Sequence, residues 1–288
     1  MDESPWQESV VQHLSLPEWR VLDHAVGDTE LLAPEARSSL RRRGVLFPAM
    51  THLRGPLQRV AAGGLLLDGE GGDEVLGSHR CTVLLHPREL RRRPRAWAEV
   101  ALDELSPRVV RARRANNQPT RHAWWTPRLA DAVLPRLLAD TLDRPWRSDH
   151  EIRTLASKRS AVLGLGTLDA VDAEAGVQSR HPLLEPAFLA ALAAEGGALG
   201  WPSRTAVTAA LAGSDLPANV VHRHGKVEFS SVAWGPATRA FADRWDGHSG
   251  VDPALVHPEA LRVEWLSERP HPSTAMLVQS AWLAQEGG

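Results

Sequence analysis

The chain has 288 residues, is 43% hydrophobic and 24% charged, and carries a formal net charge of -2. That is ordinary globular composition, enough for one large domain or two smaller ones, and the near-neutral balance argues against a protein that coats nucleic acid. A single cysteine, Cys81, excludes an internal disulfide and a cysteine-rich zinc site. No apolar run approaches the roughly 18 residues of a membrane span, and the polar start MDESPWQES is no secretory signal. A cytoplasmic location is therefore expected, with neither membrane nor nucleic acid as partner.

The first helix is expected from Ser4, with Ser4 as N-cap, Pro5 at the first helical position and Gln7 closing a capping box, to about Ser15. Pro17 breaks it, and Trp19 to Leu22 suits a short strand. A second helix is expected over Pro34 to Arg43, ending at Gly44, and a third over about Pro56 to Ala62, closed by Gly63 and Gly64. Leu65 to Leu67 read as a buried parallel strand, because the run has no polar alternation. Helix, strand, helix, strand is the rhythm of an α/β sheet.

Beyond residue 84 the character becomes helical. The stretches 87–113 and 127–142 carry helical spacing, and the polar segment Arg114 to His122 is the linker candidate between them. Helices are also expected over 150–170, 186–195 and 205–212, the last closed by Gly213, with a final one near Ala275 to Gln285. The expected organisation is an α/β core portion (1–84) followed by a mainly helical portion (85–288).

The stretch LLLDGEGGDEVLGSHR (65–80) holds the densest chemistry. A parallel strand running into a glycine-rich acidic loop puts that loop at the carboxyl edge of a sheet, where open α/β folds bind ligands. Gly69, Gly71 and Gly72 let backbone N–H groups approach a phosphate or adenine closely. Asp73 and Glu70 are candidate Mg2+ ligands, since Mg2+ takes one or two carboxylates alongside substrate phosphates. The same composition also suits a solvated turn, and the residues alone leave both readings open. Only Lys158 and Lys226 are lysine among 33 basic residues, so each draws notice; Lys158, in a helical run beside Arg159, reads as a surface residue. The runs Arg41–Arg43 and Arg91–Arg93 read as solvated faces, and Trp124-Trp125 as core or interface. LGLGTLDA (163–170) reads as a closely packed helix, because the third glycine of a dinucleotide turn is missing. Neither H-x-x-x-H nor G-x-S-x-G occurs, which removes a zinc helix and a nucleophile elbow.

Three segments, in order, resemble the C-terminal synthetase domain of the asparagine synthase family. LLLDGEGGDEVLGSHR is similar to its S-G-E-G-x-D-E-[LV]-F-G-G-Y signature, with Asp68 for the serine, Leu76 for the phenylalanine and Ser78-His79 for Gly-Tyr. AGVQSRHPLLEPAFLAAL (175–192) is similar to G-V-E-x-R-x-P-F-L-D, with Gln178 for glutamate and Glu185 for aspartate. LPANVVHRHGKVEF (216–229) is similar to L-P-x-x-[IV]-x-x-R-x-K-x-x-F, with one extra residue before Lys226. DESPWQESVVQHLSL resembles the helix after the family's second strand, so the likeness spans about residues 2 to 235.

The resemblance implies an α/β fold with a parallel-sheet, adenine nucleotide alpha-hydrolase-like core, incomplete at its N-terminus. It implies ATP and Mg2+ as cofactors and amide-bond formation through an acyl-adenylate. Glu70 matches the glutamate tied to adenylate chemistry, Asp73 the Mg2+ aspartate, and Lys226 the lysine that stabilises charge on the reacting phosphate. Asp68, Gly69, Gly71 and Gly72 fall on the nucleotide-binding positions. The family's S-G-G-x-D-S pyrophosphate loop and its glutaminase half do not occur. The expectation is therefore a synthetase domain truncated ahead of that loop, or one whose loop or ammonia comes from a separate chain. Asparagine synthesis and cyclisation of a peptide or amino acid, as in the family's lasso-peptide and β-lactam branches, are alternative chemistries; a non-catalytic remnant is the third.

Overall fold

The structure is a computed structural model that describes residues 3–22, 27–77, 81, 94–116, 121–222 and 230–286. Helices dominate: α1 (Ser4–Leu14), α2 (Pro34–Arg43), α3 (Gly55–Val60), α4 (Gly72–Val75), α5 (Pro94–Leu105), α6 (Arg108–Asn116), α7 (Pro127–Asp143) and α8 (Ser148–Thr154). They continue as α9 (Arg159–Glu174), α10 (Pro186–Gly196), α11 (Arg204–Ala212), α12 (Ala218–Val221), α13 (Ser230–Ala233), α14 (Pro236–Arg244), α15 (Pro258–Leu266) and α16 (Ala275–Glu286). The two strands, β1 (Leu65–Leu67) and β2 (Gln178–Arg180), pair in parallel with Leu65 opposite Gln178 and Leu67 opposite Arg180. β2 lies well beyond residue 84, so the sheet joins the expected core portion to the helical one.

Several starts and stops follow local chemistry. Pro34 opens α2, and Gly44, at φ +75°, closes it by donating its N–H to the Leu40 carbonyl. Thr126 caps α7 by accepting from the Leu129 N–H at 3.3 Å. α1 starts differently from the expectation: Ser4 is its first helical residue, Glu3 occupies the cap position, and no side chain caps it. Proline supplies the start there by its preset φ alone. Trp19 to Leu22 is not a strand; Trp19 and Val21 are exposed and pair with no ladder. α15 was not foreseen, because its Pro258 start is embedded in a Pro-, Gly- and His-rich stretch that reads as loop. The expected linker is shorter than its composition suggested, since α6 runs on to Asn116, and His122 stacks on Trp124 at 5.4 Å. Residues 117–120 and Arg91–Arg93 lie outside the described residues.

Two apolar clusters hold the chain. The larger gathers Leu31, Leu32 and Leu40 with Trp124, Trp125, Trp234, Trp245, Trp265 and Trp282, so the Trp124-Trp125 pair is core as expected. The smaller gathers Val75, Ile152, Leu155, Leu184, Leu189 and Val207 beneath the glycine-rich loop. β1 departs from expectation in burial. Leu65 and Leu67 are 56% and 62% exposed, because among the described residues only β2 pairs with β1 and no layer covers that face. No described helix is long and apolar enough to cross a membrane.

Candidate active site

The candidate site forms where β1 and β2 end. Because the strands run parallel in register, the residues that follow them, Asp68 and His181, emerge side by side. His181 Nδ1 lies 2.7 Å from Asp68 Oδ1, and its Nε2 lies 3.1 Å from Asp169 Oδ1 on α9. Arg54, at the end of a 3-10 turn over Thr51–Arg54, donates from NH1 to Asp68 Oδ2 at 3.0 Å and from Nε to both Asp172 oxygens at 3.0–3.1 Å. Gln58 Nε2 donates to Asp172 at 2.7 Å, and the Ser179 hydroxyl donates to the same carboxylate. Asp172 is fully buried, and Arg54 and His181 are nearly so. A buried carboxylate persists only with such partners.

Charge balance follows from these contacts. Burial opposes ionisation of Asp172, but Arg54, Ser179 and Gln58 outweigh it and hold its pKa below the ordinary value. Burial likewise opposes the charge on Arg54 and on His181, yet their carboxylate partners raise both pKa values.

This ionic base shapes the glycine loop. Asp68 Oδ1 also accepts the Glu70 N–H at 3.1 Å, and the Gly72 N–H closes a turn onto the Gly69 carbonyl at 3.0 Å. Gly71 sits at φ +86°, and a Cβ there would come 2.2 Å from Leu184 Cγ, so no other residue fits. Val75, 1% exposed, pins α4 into the smaller core. The Glu70 carboxyl is pushed above its ordinary pKa by desolvation first, then by the nearby Asp68 carboxylate.

Glu70, Gly71 and Glu74 line a cavity of about 190 Å³ with Phe47, Leu155, Leu184 and Lys158. Lys158 is at the surface as expected but not inside a helix: it is the extended cap residue ahead of α9, and that surface is the wall of this cavity. Lys226, the other lysine, lies outside the described residues. Asp73 is half-exposed on α4, 4.0 Å from Arg204 NH1. Among the described residues no group of three or more His, Cys, Asp or Glu side chains is arranged to hold a metal ion. A lone carboxylate such as Asp73 suits Mg2+ that arrives already held by phosphates. Around Gly69 there is open space within 4 Å of the position a Cβ would take, so the backbone there is accessible to a ligand.

A sequence model of the asparagine synthase family matches residues 1–284. The chain belongs to the asparagine synthase family. Membership points to ATP-dependent amide ligation in general. No curated protein and no solved structure matched the chain.

For a member of the asparagine synthase family, the expected loop residues Asp68 to Asp73 are brought together here, with the side chain of Asp68 turned into the ionic base. Arg54, Asp169, Asp172, His181 and Lys158 were not foreseen as site residues. The spacing of Asp169 and Asp172, three apart on α9, places both carboxylates on one helix face and is a signal that could have found them. Asp68 in place of the family's serine is the other signal: a carboxylate at a strand end asks for a cation nearby.

Proposed function

We propose that this chain is an ATP-dependent carbon–nitrogen ligase that joins a small-molecule or peptide carboxylate to an amine. The observation that carries the reading is the Glu70–Gly71–Gly72 loop, held at the carboxyl end of parallel strands by the Arg54–Asp68–His181 base. ATP, a substrate here, activates the carboxylate as an acyl-adenylate with release of pyrophosphate, and attack by the amine then expels AMP. Asp73 would hold Mg2+ that offsets charge on the phosphates, and the exposed backbone at Gly69 accommodates the adenosine end. Glu70, a carboxyl made more basic by desolvation and by the nearby Asp68, is suited to take the proton from the attacking amine. Lys226 matches the family's charge-stabilising lysine; such stabilisation of developing negative charge is typically worth about 3 kcal/mol.

The reading includes a completing element. Exposed apolar β1, paired on one side among the described residues, favours pairing with a further strand, which would carry the pyrophosphate cradle. Carboxylate-dependent ATP–pyrophosphate exchange tests the function. Exchange that falls about 100-fold or more in Glu70→Gln and Lys226→Ala supports the ligase. Absence of exchange with every carboxylate tested, even with the full cellular complement of partners, leaves a binding module.

A further inference from the structure

The cavity at Glu70 has a neighbour. Phe47, Lys158 and Ser160 line it and also line a second cavity of about 770 Å³, so the three residues form the common boundary, or neck, between the two. The smaller space lies below the roughly 300 Å³ at which pockets begin to enclose a drug-sized molecule, and the larger falls well inside that range. One takes a reacting end; the other takes a body.

The lining of the larger cavity defines that body. Pro145, Leu163 and Met276 give it apolar wall, and the last two are 49% and 36% exposed, available to a ligand. Its charges are unevenly spent. Arg144 is paired with Glu151 at 2.5 Å and Asp143 with Arg108 at 2.9 Å. Lys158 and Arg159 have no ion-pair partner among the described residues, against a single such acid, Asp140. Lys158 is the free cation at the neck, where Glu70 and Glu74 make the inner cavity repel an incoming carboxylate. A lysine at that threshold offsets the repulsion and fixes where the carboxylate stops.

We infer that the 770 Å³ cavity is an acceptor subsite for a peptide-sized substrate with apolar side chains, whose carboxylate is held at the neck by Lys158. The inference deepens the ligase reading by naming its substrate class. A free amino acid would reach Lys158 but leave the apolar wall bare, forfeiting about 25 cal/mol for each Å² it fails to cover.

Calorimetric binding without ATP tests this, using three probes: N-acetyl-Phe-Leu-Glu-amide, its Gln counterpart and free aspartate. In the unaltered chain the Glu peptide binds about tenfold tighter than either comparator, the size of one charge-assisted contact. Lys158→Met abolishes the preference for Glu over Gln, Lys158→Arg retains it, and Leu163→Asp weakens both peptides. Thermal melts of the variants, all at exposed positions, check that the fold is intact. Aspartate binding as tightly as the Glu peptide, a Glu preference that survives Lys158→Met, or no peptide binding at all overturns the subsite. Because ATP is absent, failure of the ligase reading shows separately: a chain with Lys158-dependent peptide binding and no pyrophosphate exchange loses only the ligase assignment.

Discussion

The tryptophan cluster and the loop base solve the same problem by opposite means. In the first, Trp245, Trp265 and Trp282 are 0–1% exposed and pack with leucines, and Trp245 and Trp265 meet at 4.8 Å between ring centroids. Its stability is dispersion and apolar burial, which neither pH nor salt changes much. In the second, Arg54, Asp68, Asp172 and His181 hold a three-residue strand pair with two of three β1 leucines in water. Here geometry depends on paired charges, each expensive if orphaned. The molecule thus separates a rigid scaffold from a site whose shape is set electrostatically.

The largest expected effect is in the scaffold. Trp265→Ala leaves a cavity in a fully buried position and should cost about 3–5 kcal/mol in urea unfolding. A loss under about 1 kcal/mol would mean that this region is not the scaffold. Asp172→Asn comes next, at about 3 kcal/mol, because it removes the fully buried one of the two carboxylates that balance Arg54. The double change Arg54→Met with Asp172→Leu should recover part of that loss, whereas the equivalent pairing of two tryptophan truncations should not. If the double variant is as unstable as the sum of the singles, the loop base is not an ionic unit.

A pH series separates the regions further. The His181 pKa is raised on folding, so its contribution is complete below its ordinary value of about 6.5 and is lost as pH rises through the raised folded value. The Asp172 pKa is lowered, so its contribution is present above its ordinary value and lost as pH falls through the lowered one. Protection of the amides in residues 68–76, taken relative to their base-catalysed intrinsic exchange rates, should therefore fall on the alkaline side, while the protection of α15 and α16 amides holds steady. His181→Gln should flatten the alkaline slope; an unchanged slope would assign it to another group. Smallest of all, Leu67→Ser in the chain by itself should shift stability by no more than about 0.5 kcal/mol, since the side chain is 62% exposed. A larger loss would show that β1 is covered.

Legibility in the sequence followed the same division. Helices with strong punctuation were readable: Pro34 and Gly44 bracket α2, and Gly213 closes α11, because proline and glycine act locally. The parallel character of Leu65–Leu67 was also readable, but its burial was not, since burial depends on neighbours that a three-residue run does not encode. Glu70, Gly71 and Asp73 stood out through a contiguous motif. Arg54, 14 residues before Asp68, and His181, 113 after it, did not, because a charge network assembled across elements leaves no spacing rule in the chain. Lys158 was visible as one of two lysines, yet its role depends on which cavity the start of α9 faces.

On the ligase reading, residues 68–73 form the nucleotide side of the site. Amide hydrogen exchange with and without ATP and Mg2+ is the decisive measurement. Exchange should slow at Gly69, Glu70, Gly71 and Gly72 when ATP and Mg2+ are added, and Asp73→Asn should abolish that protection. Unchanged exchange across that loop, with protection appearing instead at the separate pocket lined by Arg42, Arg43 and Arg59, would contradict that reading.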